Sequence, residues 1–321
     1  MSRAARTKEK RTGWDVTANG TSSSNGAIHE VPRVPTYPSS HRIALADARD
    51  LSFIPDESVH LVVTSPPYFD LKQYAADAPG QLGEIHEYER FLEELDKVWR
   101  ECHRVLVPGG RVCCVVGAVT ISRRAGGRHY VLPLPSDIQA RSRAIGLDNL
   151  TPIIWLKVSN IVLEASISSR FLGKPNLPNG VIKNDFETIV MLRKPGGYRK
   201  PTPEMEARSR INNDEYFKWF VPIWSDITGA STREHPAPYP VALAYRLIRM
   251  FSFVGDTVLD PFLGTGTTTR AAMLAGRNSI GVEVEPTYFE LTQQKLAHRP
   301  FGVEYAFDAD PHRVKQPARG D

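Results

Sequence analysis

Residues 257–286, TVLDPFLGTGTTTRAAMLAGRNSIGVEVEP, constrain the fold more than any other stretch of the chain. An apolar run ends at Asp260, a turn carrying Gly264 and Gly266 follows, a helix begins around Thr267, and a second apolar run presents Glu283 and Glu285. Strand, turn, helix and strand within about thirty residues make a βαβ unit, whose parallel strands need a sheet covered by helices.

The rest of the chain repeats that alternation. Short runs with β-branched residues occur at HRIALADA, SVHLVVTSPPY, RVCCVVG, LTPIIWLK and ETIVMLRK, which with TVLDPF and NSIGVEV give seven strand candidates. Over residues 86–106, Tyr88, Phe91, Leu92, Leu95, Val98, Trp99, Cys102, Val105 and Leu106 recur three or four apart, so one face of a helix can lie on the sheet. VPGG at 107–110 is expected to end that helix. The pattern lapses between Lys194 and Glu234, where Arg199, Lys200, Arg208, Arg210, Lys218 and Arg233 accompany Tyr216, Phe217, Trp219 and Phe220; this reads as an insertion. The organisation expected is a disordered basic tail over 1–40, a main domain over 41–300 with the insertion at about 195–234, and an irregular tail over 301–321. In the first tail Arg3, Arg6, Lys8, Lys10 and Arg11 precede TANGTSSSNG.

Composition excludes several classes. With 321 residues, 41% of them hydrophobic and 24% charged, the chain can build one large α/β domain plus an insertion. No apolar run approaches the ~18 residues of a membrane helix. The basic N-terminus has no apolar stretch behind it to make a secretory signal, so a cytoplasmic protein is expected. Cys102, Cys113 and Cys114 lie in apolar patterns and read as core thiols, and no metal-ligand spacing stands out. A net charge of +4 permits nucleic-acid binding without requiring it.

Two motifs carry chemistry. Gly264 and Gly266 let the backbone approach a ligand closely, and the free amides of the following helix point into the same space, which suits a nucleotide-like molecule. Further on, Glu283 and Glu285 stand on one side of their strand, where a carboxylate can accept both ribose hydroxyls. The turn lacks the third glycine of a dinucleotide fingerprint and the lysine of a phosphate loop, and a glycine pair also serves turns that bind nothing.

The second motif is Thr64, Ser65, Pro66, Pro67 and Tyr68 at the carboxyl end of an apolar strand, where open α/β sheets place ligands. Two prolines make the chain rigid and remove two amide donors, leaving the carbonyls of Ser65 and Pro66 to accept from a substrate. An exocyclic base nitrogen is a poor nucleophile because its lone pair is delocalised into the ring. Accepting both its N–H bonds favours a tetrahedral nitrogen and frees that pair, while Tyr68 offers a flat face for stacking. Taken alone, PPY is equally a proline-terminated strand with a buried tyrosine.

Together the motifs resemble the DNA amino-methyltransferases in their permuted order, with the catalytic motif ahead of the cofactor motif. The resemblance extends over residues 41 to about 295 through ADARDLSFIPDESVHLVVTSPPY, EYERFLEELDKVWRECHRVLVPGGRV, NDFETIVMLRKPGGY and STREHPAPYPVALAYRLIRMFSFVGDTVLDPF. It implies a seven-stranded, mostly parallel, Rossmann-like methyltransferase sheet with helices on both faces and an inserted target-recognition region at about 195–234. It implies S-adenosylmethionine as cofactor, with Asp47 near the adenosine, Pro238 closing over the methionine end, Asp260, Phe262, Gly264 and Gly266 forming the cofactor loop beside Thr64 and Thr267, and Glu283 on the ribose. Ser65, Pro66, Pro67 and Tyr68 would be catalytic, double-stranded DNA the substrate, and a restriction endonuclease the partner of a restriction-modification pair. Nucleoid association follows from the substrate, and the oligomeric state, monomer or homodimer, stays open.

SPPY is typical of members that methylate cytosine N(4), and adenine N(6) is the alternative. Carbon-5 methylation needs a cysteine nucleophile after a proline, and no cysteine here follows one. A zinc deaminase is excluded by the absence of H-x-E and P-C-x-x-C. Two rivals remain: a methyltransferase acting on RNA or protein amines, whose motif typically begins with Asn or Asp, and a DNA-binding subunit without catalysis.

Overall fold

All seven expected strands form and lie in one sheet. The computed structural model describes residues 31–32, 37–69, 81–157, 171–172, 178, 181–182, 184–229, 239–297 and 302–312. In chain order the strands are β1 (Ser39–Leu45), β2 (Val59–Thr64), β3 (Leu106–Val116), β4 (Val119–Ile121), β5 (Tyr130–Leu132), β6 (Asp148–Asn149), β7 (Ile153–Leu156), β8 (Phe171–Leu172), β9 (Val181–Ile182), β10 (Phe186–Arg193), β11 (Ile223–Trp224), β12 (Thr257–Asp260), β13 (Asn278–Glu283) and β14 (Val303–Asp308). The main sheet runs β11-β7-β10-β3-β2-β12-β13-β1-β14, with β6 beside β10. From β3 to β14 neighbours are parallel, and β10 alone runs antiparallel between β3 and β7.

Alternation along the central strands feeds a core on each face of the sheet. Val62, Val112 and Cys114 face the helices Tyr88–Val105 and Leu134–Ile145, against Phe91, Leu95, Trp99 and Ile138. Leu61, Val63, Cys113 and Val115 face the other way, against Leu243 and Leu247 of the helix Val241–Phe251 and Ala271 and Ala272 of the helix Thr267–Leu274. The adjacent cysteines thus enter opposite cores as free thiols, and burial pushes the Cys113 thiol up to about 12.

Three boundaries differ from expectation. The first helix stops at Val105, and residues 107–110 already run in β3, where Gly109 takes a φ of 78°. The tail expected over 1–40 ends earlier, since Ser39 and Ser40 open β1; residues 1–30 and 33–36 lie outside the described residues. The irregular C-terminal tail over 301–321 is corrected by β14, which pairs in parallel with β1. Its sequence alternates Val303, Tyr305 and Phe307 with Glu304, Ala306 and Asp308, and Val303 and Tyr305 are buried against Ile43.

The insertion also has regular structure. It contains helices Pro203–Ser209 and Asn213–Trp219, capped by the side chains of Thr202 and Asn212, and then β11. Trp219 and Trp224 are buried, the indole of Trp155 donates to Ile227 O at 2.9 Å, and Arg246 grips Asp226 through two hydrogen bonds of 3.0 and 2.7 Å.

Candidate active site

Thr64, Asp260 and Glu283 end β2, β12 and β13, three parallel strands, so they meet at one edge of the sheet. Asp260 is 2% exposed and accepts the Thr64 hydroxyl at 2.7 Å, the Phe262 amide at 3.1 Å, the Tyr239 hydroxyl at 3.0 Å and the Thr268 hydroxyl. Burial pushes its carboxyl above the usual range. It therefore binds the substrate strand to the glycine turn from inside and does not line the ligand cavity. Thr64, Gly266 and Thr267, also expected at the cofactor, stay off the cavity wall, and Pro238 lies outside the described residues.

The cavity above this edge is lined from both motifs: Ser65, Pro66 and Pro67 on one side, Phe262, Gly264 and Glu283 on the other, with Asp47 at the end of β1. Glu283 accepts the Gly264 amide at 2.7 Å and the Glu285 amide at 2.9 Å. Burial outweighs these bonds and pushes its carboxyl up to about 7. Gly264 (φ 56°) and Gly266 (φ 82°) hold the turn in conformations costly for other residues. Asp47 faces the cavity but is gripped by Arg49, whose Nη1 also reaches Glu94 at 2.7 Å. Among the described residues no hydrogen-bond donor reaches the carbonyls of Ser65 or Pro66. Tyr68 lies outside the cavity lining, with its hydroxyl 2.7 Å from Glu187.

Several lining residues carried no sequence signal. Gln81 and Leu82 follow TSPPY in a stretch without periodicity, yet Gln81 Nε2 donates to Glu285 at 3.1 Å. Tyr288 stands in the first turn of the helix Pro286–Lys295. Thr268, next in the threonine run, takes the structural role that helix phase denies to Thr267.

The lining fits the S-adenosylmethionine implied by the resemblance: Leu82, Phe262 and Val282 offer apolar faces for a purine, and Glu283 offers a carboxylate for a ribose. A family model described as DNA methylase, for N6 and N4 methyltransferases, matches residues 59–294, which include both motifs.

This chain belongs to the DNA methylase family.

Its similarity to other DNA methylases extends over most of its length. It is 36% identical over 300 residues to the type II methyltransferase M.MjaI of Methanocaldococcus jannaschii, covering 84% of this chain and 96% of that one. It is 36% identical over 279 residues to the type II methyltransferase M.MthZI of Methanothermobacter thermautotrophicus, covering 80% and 76%. The structure of TTHA0409 from Thermus thermophilus, solved with S-adenosyl-L-methionine, superposes with a TM-score of 0.70 at 47% identity, covering 84% of this methylase and 98% of that chain.

Within the basic insertion of the methylase, Arg199 is directed away from the cavity. Arg199 pairs at 2.5 Å with Asp256, which precedes β12, so it stands at the opposite edge of the sheet from Asp260. Arg208 pairs with Glu204 and Lys218 with Asp226. At the cavity edge, β7 ends at Leu156 opposite Phe186 of β10, and Asn184, Asp185 and Phe186 are exposed there. Among the described residues no helix is long and apolar enough to cross a membrane, and no cluster of potential metal ligands occurs.

Proposed function

We propose that this DNA methylase transfers a methyl group from S-adenosylmethionine to the exocyclic N(4) of cytosine in duplex DNA. The observation that carries the reading is the pair of carbonyls, Ser65 and Pro66, that no donor reaches among the described residues, at the wall of the cavity that also holds Glu283 and Gly264. The cofactor would supply an electrophilic methyl group: the amine nitrogen would bond to it in line as the S–CH3 bond breaks, with S-adenosylhomocysteine leaving as a neutral thioether, one N–H proton lost to solvent, and no covalent enzyme intermediate.

The protein positions and polarises. Glu283 holds the ribose, and the turn at Gly264 brings backbone close to it. The carbonyls of Ser65 and Pro66 accept the two N–H bonds of the amine and turn its lone pair toward the methyl group. Stacking on Tyr68 offsets part of the few kcal/mol spent in extruding the base. Serine at position 65 adds a neutral hydroxyl, as in members that modify cytosine; the side chain brings no charge to the amine. DNA contacts are assigned to the cavity edge, where Lys157, Asn184 and Phe186 stand, and to the insertion only where its chain reaches that edge. A restriction endonuclease of the same specificity is the partner this reading implies.

The test is transfer of label from methyl-labelled S-adenosylmethionine to unmodified host DNA, host RNA and total protein in parallel, with Ser65→Ala as control. Label in DNA alone supports the reading, and label in RNA or protein contradicts it.

A further inference from the structure

Tyr68 does not stand free at the cavity mouth. Its hydroxyl donates to Glu187 Oε1 at 2.7 Å, and beneath the contact lies Gly117, where an added Cβ would stand 3.6 Å from both Tyr68 Cε1 and Glu187 Cγ. The ring is thereby laid across the end of β3 and fastened to β10, the next strand. Lys157, the residue after β7, closes on the same Glu187 oxygen and sits 5.4 Å from the centroid of the Trp155 ring. Glu187 is 8% exposed, while the side chain of Lys157 keeps 33% of its surface open toward the edge.

A largely buried ion pair is a poor source of stability, because desolvating both charges consumes most of their attraction. What this pair does supply is orientation. A hydroxyl bonded to a charged carboxylate is held more firmly than one bonded to a neutral acceptor, and both charged partners are carried by sheet strands or their immediate end. We propose that Glu187 and Lys157 are positioning residues for the target base, fixing the tilt of the Tyr68 ring so that an extruded base meets a preformed stacking face. Glu187 acts through the Tyr68 hydroxyl, and Lys157 acts by pinning the Glu187 carboxylate in place through the ion pair. The inference rests on Tyr68 as the stacking partner proposed above. It concerns base docking and the chemical step, and it leaves cofactor binding untouched, since neither Glu187 nor Lys157 lines the cofactor cavity.

The experiment compares the full chain with Tyr68→Phe, Glu187→Gln, the double variant and Tyr68→Ala, measuring kcat and KM on unmodified host DNA and cofactor Kd by calorimetry. Tyr68→Phe and Glu187→Gln should each lower kcat about tenfold, as expected for a misplaced reacting group, and the double variant should be no slower than the slower single one. Cofactor Kd should stay within about twofold throughout. A parent-like kcat in Glu187→Gln, or losses that multiply in the double variant, overturns the proposal while Tyr68→Ala remains inactive. Full activity in Tyr68→Ala instead overturns the stacking role itself. Should Glu187→Gln fail to fold, Tyr68→Phe keeps the ion pair and decides alone: a parent-like kcat refutes the positioning role.

Discussion

Thr64 and Asp260, 196 positions apart in sequence, share a 2.7 Å hydrogen bond at the ends of neighbouring parallel strands. It joins the chain that carries Ser65 to the turn that carries Gly264, and Thr268 and Tyr239 complete the ring of donors. The two chemical motifs are thus held in register from beneath, by groups that stay off the cavity wall. Thr64→Val removes one donor from a buried carboxylate and should cost about 1.5–3 kcal/mol of stability. Chemical denaturation monitored by circular dichroism measures that loss, and the nucleoside modified should stay the same.

With Glu283 on the ribose as proposed, cofactor binding should depend on pH. Its carboxyl rises from an unfolded value of 4.5 to about 7 through burial. The ligand-free fold therefore favours the protonated form: this contribution to stability is complete below pH 4.5 and is lost as pH rises through about 7. Two ribose hydroxyls are held more strongly by the ionised carboxylate than by the protonated one, so cofactor affinity should rise between pH 6 and pH 8 as the carboxyl ionises around 7. Calorimetric titrations across that range should show the rise in the parent and a flat, weaker response in Glu283→Gln.

Gly266 precedes the helix Thr267–Leu274 with φ at 82°, and a Cβ there would stand 3.0 Å from Thr292 Cγ2. Gly266→Ala meets both backbone strain and crowding and should cost about 1–2 kcal/mol, with weaker cofactor binding because the turn shifts. Melting temperature and cofactor Kd, measured on the same preparation, check both effects.

Arg199 stabilises the fold at the edge away from the cavity. Its guanidinium pairs with Asp256, a carboxylate 2% exposed, and lies 5.1 Å from the centroid of Phe253. Arg199→Ala should lower stability by about 1–2 kcal/mol, because the arginine is partly open to solvent, and leave KM for DNA unchanged. Arg208→Ala, which loses an exposed pair with Glu204 and a contact 5.3 Å from the Tyr37 ring centroid, should lower stability by no more than about 1 kcal/mol and leave KM unchanged. A raised KM in Arg199→Ala would place DNA at that edge.

The sheet and the pairing of the two motifs were legible because strand period and turn chemistry are local. β-branched runs alternate with helical spacing, and Ser65 and Gly264 each follow an apolar strand on the carboxyl side. β14 was equally legible in the alternation of Val303, Tyr305 and Phe307, but its short length beside a polar end favoured reading it as a tail. What pattern cannot carry is which way a side chain turns. Asp260, expected in the cofactor loop, ties that loop to Thr64 and stays off the cavity wall; Thr268 makes the bond to Asp260 that helix phase denies to Thr267; Gln81 reaches Glu285 across 204 positions of sequence. The arginines of the insertion were read by charge, and their carboxylate partners became visible only in space.

The most direct test of the account is the identity of the methylated nucleoside. Unmodified host DNA treated with this methylase and methyl-labelled S-adenosylmethionine, digested to nucleosides and resolved by mass spectrometry, should yield N(4)-methylcytosine as the labelled product. N(6)-methyladenine as the labelled product would contradict the cytosine assignment, and 5-methylcytosine would contradict the amine chemistry derived from Ser65 to Tyr68.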